Sequence, residues 1–182
     1  TPTVTPGGDT ILAPVETKSP NTNYKPAFAG QTRIAGVKTK TAYEGKVIGS
    51  GLKSPWAVIS LPDGRLLINE KSGTMRIATT AGEIGPAITG LPAVNSRGQG
   101  GLLGLVLDPS FATNRMIFWT FSEDVEGGSL TSVAKGRLSD DEKTIENATV
   151  IYRAAPAYKG AAHYGSRILF DKTGNIIFST GE

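Results

Sequence analysis

The chain has 182 residues, 38% of them hydrophobic and 19% charged, enough for one domain with a sizeable core and drier in charge than an average globular protein. Its 19 basic and 16 acidic residues leave a formal charge of +3 and are scattered, so no phosphate-tracking stripe exists and nucleic acid is not an expected partner. The absence of cysteine excludes disulfides and thiolate metal sites, and no apolar run approaches the roughly 20 residues of a membrane span.

Residues 1–40 read as an extended or disordered arm, because TPTVTPGGDT and ETKSPNTNYKPAFAGQ are rich in Thr, Pro, Gly and Asn and show no helix or strand period. The start Thr1-Pro2-Thr3, without a methionine, reads as a processed or trimmed product, and the arm is compatible with a tether behind a signal peptide or lipid anchor. From residue 41 to 182 the texture is that of a β domain. Short strand-like segments rich in Val, Ile, Leu, Phe and Thr follow one another: Lys46–Ser50, Trp56–Ser60, Arg65–Asn69, Met75–Thr79, Gly104–Leu107, Met116–Phe121, Leu130–Arg137, Thr149–Arg153, Arg167–Phe170 and Asn175–Ser179. Ser139–Asn147 carries charge but almost no apolar stripe and reads as a polar loop. The fold class is all-β.

One phrase recurs three times: KSPWAVISLPDGRLLINEKSG from Lys53, QGGLLGLVLDPSFATNRMIFWTFSE from Gln99, and HYGSRILFDKTGNIIFSTGE from His163. Each begins with a polar residue among small neighbours and continues as apolar strand, turn, apolar strand. The residues before the second strand, Gly64, Asn114 and Gly174, tolerate positive φ and stand 50 and 60 residues apart, near the ~40–50-residue period of a four-stranded propeller blade. A β-propeller is therefore expected, and the chain holds its first two to three blades. Radial closure takes at least four, so the chain reads as truncated or as completed by further blades or a second chain.

Blade geometry turns the starts of the innermost strands toward one channel, which brings Lys53, Gln99 and His163 together. His163, the one histidine, stands between small residues, and an imidazole takes up protons near neutral pH, as oxidation of an alcohol requires. Such a reaction also needs a hydride acceptor from outside the protein. Glu182 ends the strand following His163 and can orient the imidazole. Gln99, in RGQGGLLG, offers an amide donor to a bound oxygen, and no phosphate-loop pattern surrounds it. Arg167 is read as supporting the pocket or pairing within its blade, and Trp56 as blade packing. No metal-ligand constellation is visible.

These three phrases resemble the glucose/sorbosone dehydrogenase family over residues 46–182. The resemblance implies a six-bladed β-propeller that oxidises aldose sugars at C1 to lactones, with pyrroloquinoline quinone as cofactor, calcium bound, and an external electron acceptor. By motif, His163 matches the general base of the H-x-x-x-R phrase, Gln99 the glutamine of GQ-x-GLLG lining the sugar and cofactor pocket, and Glu182 the acidic residue that orients the histidine. Ala162 departs from the acidic sugar-binding residue that glucose dehydrogenases carry before the histidine, which favours the broader aldose branch. The residues holding quinone and calcium come from later blades in that family. A periplasmic or secreted location is implied as well. The alternative function is a non-catalytic propeller that binds carbohydrate or protein, and a weaker one is a propeller hydrolase, which would want calcium-binding Asp and Asn residues that the segment lacks.

Overall fold

The computed structural model describes residues 10–181 and divides the chain into two units, Thr1–Lys46 and Val47–Glu182. The first unit covers the segment 1–40 that is expected as an extended or disordered arm. Strand β1 (Thr10–Pro14) pairs antiparallel with β2 (Ala35–Lys38), so main-chain pairing organises a segment that composition alone marks as irregular.

The second unit is built of antiparallel sheets that follow one another along the chain. Strands β3 (Pro55–Ser60), β4 (Leu66–Glu70) and β5 (Thr74–Ala78) form the first, with isolated bridges from Ile84 and Ile88 extending its outer edge. The second is four-stranded, in the order β6 (Leu102–Leu107), β7 (Met116–Val125), β8 (Gly128–Leu138) and β9 (Ile145–Arg153). Strands β10 (Ile168–Phe170) and β11 (Ile176–Phe178) form the third. The one helix among the described residues of the second unit, α1 (Phe111–Asn114), is a single turn inside the β6–β7 connection. No strand forms over 46–50, and the polar stretch 139–144 is a turn leading into β9.

The sheets stack face to face in chain order. Ile117, Trp119 and Phe121 point from β7 into a core shared with Ile59, Leu61, Leu67 and Met75 of the first sheet. Phe118 and Val106 point the other way, into a smaller core with Ile168, Phe170, Ile176 and Phe178 of the third. The Phe118 and Phe170 rings meet edge to face at 5.1 Å. A strand buried on both faces reads as a continuous apolar run, which is why MIFWTF shows no alternation.

The turns locate the repeat more closely than sequence does. Leu61 N–H bonds to Arg65 C=O at 2.8 Å, Asp108 to Met116 at 3.0 Å, and Asp171 to Asn175 at 2.9 Å, so Leu61, Asp108 and Asp171 hold equivalent places. The positive-φ residue closing the second turn is then Arg115 (φ 53°) rather than Asn114. Asn114 remains helical and spends its side chain on Asp108 and on the Met116 N–H. Left-handed backbone costs an arginine about 1–2 kcal/mol. Its guanidinium offsets this by donating to the carbonyls of Leu138 and Ser139 at 3.0 and 3.1 Å, beside Glu142 and over the Phe111 ring.

A polar side chain recurs at one phase of the second strand. The inner strands β3 and β6 each carry an irregularity in register, between Pro55 and Val58 and between Leu102 and Leu105. The N–H groups inside these gaps, of Ala57 and Gly104, donate at 2.8 Å to Asn69 Oδ1 and Thr120 Oγ1. Each side chain then reaches the next sheet: Asn69 Nδ2 donates to Leu103 C=O and Thr120 Oγ1 to Ser166 C=O, both at 2.8 Å. Both residues are fully buried. Asn69→Ala strands a donor and an acceptor between two sheets, and a loss of about 2–5 kcal/mol in chemical denaturation is expected.

Charge ties the same sheets at the turns. Arg65 grips Glu142 with two bonds of 2.6 and 2.7 Å. The Arg65 guanidinium holds the Glu142 carboxyl below its ordinary range, against burial, with Arg115 adding to it. A carboxyl lowered in the folded state stabilises fully above its unfolded value, about 4.3, and ceases to as pH falls through the folded value. The stability gap between the parent and Glu142→Gln, measured by denaturant titration, should therefore be widest near about pH 6 and close below about pH 4.

Candidate active site

Two loops meet at the predicted histidine. The first, 95–101, is moored to β7. Asn95 N–H donates to Ser122 C=O at 2.8 Å, Gly101 N–H donates to Ser122 Oγ at 2.6 Å, and Lys71 Nζ reaches Gly98 C=O at 2.5 Å. The second, 161–166, leads into β10. Its Tyr164 side chain is buried with the hydroxyl 2.7 Å from Ser129 Oγ, while Thr131 Oγ1 donates to the Tyr164 carbonyl at 2.7 Å.

Gln99 clasps the histidine loop at two points. Its N–H donates to Ala161 C=O at 2.7 Å, and its Oε1 accepts the His163 N–H at 2.9 Å. The second bond uses the amide's acceptor on the backbone and leaves its NH2 group available as a donor. Residues Gln99, His163 and Arg167 are all exposed. His163 and Lys53 stand eight residues before the equivalent Asp171 and Leu61, and Gln99 nine before Asp108. Lys53 itself is fixed by its N–H on Glu70 Oε1 at 2.6 Å. Burial raises the Glu70 carboxyl, but that N–H, Thr74 and Arg76 outweigh it and hold the group below its ordinary value.

The backbone of the histidine loop is unusual. His163, Gly165 and Ser166 have φ of 63°, 64° and 91°, conformations that persist in side-chain-bearing residues only when their surroundings over-determine them. Those surroundings are close: a Cβ on Gly181 would fall 1.1 Å from the His163 carbonyl oxygen, and one on Gly98 would lie 2.3 Å from the Ala161 carbonyl oxygen. Glycine at both places lets the chain press on the histidine loop from two sides. His163, Ala162, Tyr164, Thr131, Thr180 and Gly181 border a cavity of 60 Å³, too small for a sugar.

Arg167 is placed apart from that cavity. Its N–H donates to Ser179 Oγ at 3.1 Å, and it lines a groove of 420 Å³ formed by the three inner strands with Trp56, Val58, Leu103 and Gly104. Trp56 is exposed in this groove rather than packed. Glu182 lies outside the described residues. Among the described residues no three His, Cys, Asp or Glu are grouped to hold a metal ion, and no helix is long and apolar enough to cross a membrane. Sequence reasoning missed Ser122, Tyr164 and Thr131, whose only signal is a polar or aromatic residue inside an otherwise apolar or small-residue run.

A sequence model of the family described as glucose/sorbosone dehydrogenase matches residues 52–182. An aldose sugar dehydrogenase of Escherichia coli is 35% identical over 139 residues, which are 75% of this chain and 38% of the relative. The solved apo form of the soluble aldose sugar dehydrogenase from Escherichia coli superposes with a TM-score of 0.71 at 35% identity, over 75% of this chain and 40% of that one. The solved pyrroloquinoline-quinone-bound aldose sugar dehydrogenase of Streptomyces coelicolor has a TM-score of 0.65 at 26% identity, with the same coverage of 75% and 40%. The chain thus spans about two fifths of the length of the relatives it matches.

The imidazole of the single histidine gives one set of ring signals in a proton spectrum. Gly181→Ala and Gly98→Ala should each shift or broaden that set, whereas Gly64→Ala, at a turn where an added Cβ meets nothing within 4 Å, should leave it in place.

Proposed function

The chain belongs to the glucose/sorbosone dehydrogenase family, and on that premise we propose that it supplies the histidine side of the active site of an exported quinoprotein that oxidises aldoses at C1 to lactones. The observation that carries this reading is the clasp of Gln99 on the His163 main chain, which fixes an exposed imidazole on an over-determined loop. In the reading, His163 takes the proton of the C1 hydroxyl as the C1 hydrogen leaves as hydride. The sugar loses one proton and one hydride, two electrons in all, and becomes the lactone. Pyrroloquinoline quinone, when bound, would supply the hydride acceptor, and an external acceptor would be needed to complete turnover.

The Gln99 NH2 group beside the histidine loop and the Arg167 guanidinium in its separate groove are exposed donors that would each meet an oxygen of the sugar or the quinone. Glu182, at the end of the strand after His163, is assigned to orient the imidazole. Among the described residues no three acidic or histidine side chains gather to hold calcium, and no step is assigned to it. The six-bladed propeller, the periplasmic location and anchoring through the N-terminal arm belong to the same reading and rest on the resemblance.

The test is dye reduction by the protein expressed from its full reading frame, titrated with pyrroloquinoline quinone and offered a panel of aldoses. His163→Ala should lower aldose-dependent turnover by about 100-fold or more while cofactor binding persists. Absence of quinone binding would replace the enzyme with a carbohydrate- or protein-binding propeller.

A further inference from the structure

The 60 Å³ cavity beside His163 has a larger neighbour. Ser129 and Tyr158 border both, and the second cavity, of 410 Å³, is completed by Arg97, Lys159, Gly160 and Ala161. Its volume lies within the range of about 300–1,000 Å³ usual for small-molecule sites.

The chain fixes Tyr158 from behind and leaves its ring in the open. Tyr158 and Ser129 exchange both main-chain bonds, each at 2.9 Å, and the Tyr158 carbonyl also accepts the Gly160 N–H at 2.9 Å. Ser129 is buried and spends its hydroxyl on the Gly160 carbonyl at 2.9 Å. The ring lies against Gly160, since a Cβ there would fall 2.0 Å from Tyr158 Cε1. Tyr158 is nevertheless 61% exposed.

Two cations share this cavity. Arg97 is oriented by Asn95, whose Oδ1 accepts its N–H and its Nε–H at 3.0 and 3.2 Å, and by Asp124, whose Oδ1 lies 3.3 Å from Nη2. Asp124 offsets part of that charge. Lys159 is exposed, and its ammonium has no hydrogen-bonded or ionic partner among the described residues. An open aromatic face beside an unpaired ammonium and a partly neutralised guanidinium suits a ring that stacks by its C–H face and carries a carboxylate.

We infer that this cavity receives the sugar ring next to the one oxidised, in substrates whose second ring is a uronic acid. Tyr158 is the stacking platform, Lys159 the partner of the carboxylate, and Arg97 the second cation. The placement follows from the shared wall, because Gly160 and Ala161 run directly into Ala162 and His163. That the ligand is a saccharide rests on the proposed aldose oxidation, and that it is anionic rests on the two cations.

The test is calorimetric titration of quinone-free protein, expressed from its full reading frame, with cellobiose and with cellobiouronic acid. The two differ only at C6 of the second ring, which is a carboxylate in the acid. The acid should bind about ten-fold more tightly, the value of one charge-assisted hydrogen bond. Lys159→Gln should cut that preference to roughly two-fold or less and leave cellobiose unchanged. Gly160→Ala, which displaces the Tyr158 ring, should weaken both disaccharides by about five-fold. Equal affinity of the parent protein for the two, or a full preference that survives Lys159→Gln, would overturn the inference. Dye reduction with glucose after quinone is added reads the dehydrogenase separately. Turnover without a preference between the disaccharides sinks the role of this cavity alone. A ten-fold preference without turnover keeps an acidic-saccharide site and sinks the dehydrogenase.

Discussion

A main-chain N–H that its own ladder cannot pair is the constraint that each inner strand has to satisfy. The irregularity in β3 and β6 removes one residue from the regular pairing and leaves its N–H to be met by a buried side chain of the neighbouring strand. Leaving such a group unmade costs about 1–3 kcal/mol, more than most single contacts contribute. Asn69 and Thr120 meet that demand with short side chains, and both have a donor to spare. The spare donor finds the next sheet's backbone, so a local defect becomes the register mark for the neighbour. Apolar packing holds the sheets together without specifying how far one slides along another. Directional bonds at 2.8 Å supply that information.

The histidine loop inherits this order. Ser166, whose carbonyl receives Thr120, is also one of the positive-φ residues beside His163, and its N–H is taken by Ser179 C=O at 2.7 Å. The same residue thus belongs to the sheet-to-sheet tie and to the loop that carries the imidazole. Gln99 stabilises the other end of that loop through Ala161 and His163. Strain in a few backbone angles is tolerable there because hydrogen bonds from β7, β8, Ser179 and the 95–101 loop converge on six residues.

Much of this was legible in sequence, and the rest was hidden for specific reasons. Nine of the ten apolar runs expected as strands contain strands, since branched and aromatic residues between turn formers leave few other options. Gly64 and Gly174 were readable as turn residues because glycine announces positive φ. Arg115 was not, because its left-handed backbone is favoured by Leu138, Ser139 and Glu142, all remote in sequence. Trp56 reads as blade packing by residue type, yet it is exposed, and burial is a property of neighbours rather than of the indole. The β1–β2 hairpin was hidden because its pairing spans a long polar segment with no hairpin turn signal. In the candidate site, Gln99 and His163 were found by their shared phase in the repeat, and the structure links them directly. Arg167 shares the strand but lines another groove, since a four-residue step from a loop into a strand changes direction in a way spacing cannot reveal.

The one-way character of the sheet-to-sheet bonds has a consequence for how such a chain is made. Asn69 donates forward to residue 103 and Thr120 forward to residue 166, so each sheet waits for chain that has not yet been synthesised. Successive turns are 51 and 59 residues apart, and at roughly 5–20 residues per second a ribosome takes several seconds to deliver each one. During every such interval the newest sheet shows water an apolar face of the Leu67 or Phe118 kind. Growth of the fold therefore proceeds as a series of timed exposures, each ended by the arrival of the next segment. A holding chaperone that recognises short apolar strands would meet this protein repeatedly during translation, once for every sheet, rather than once at the end.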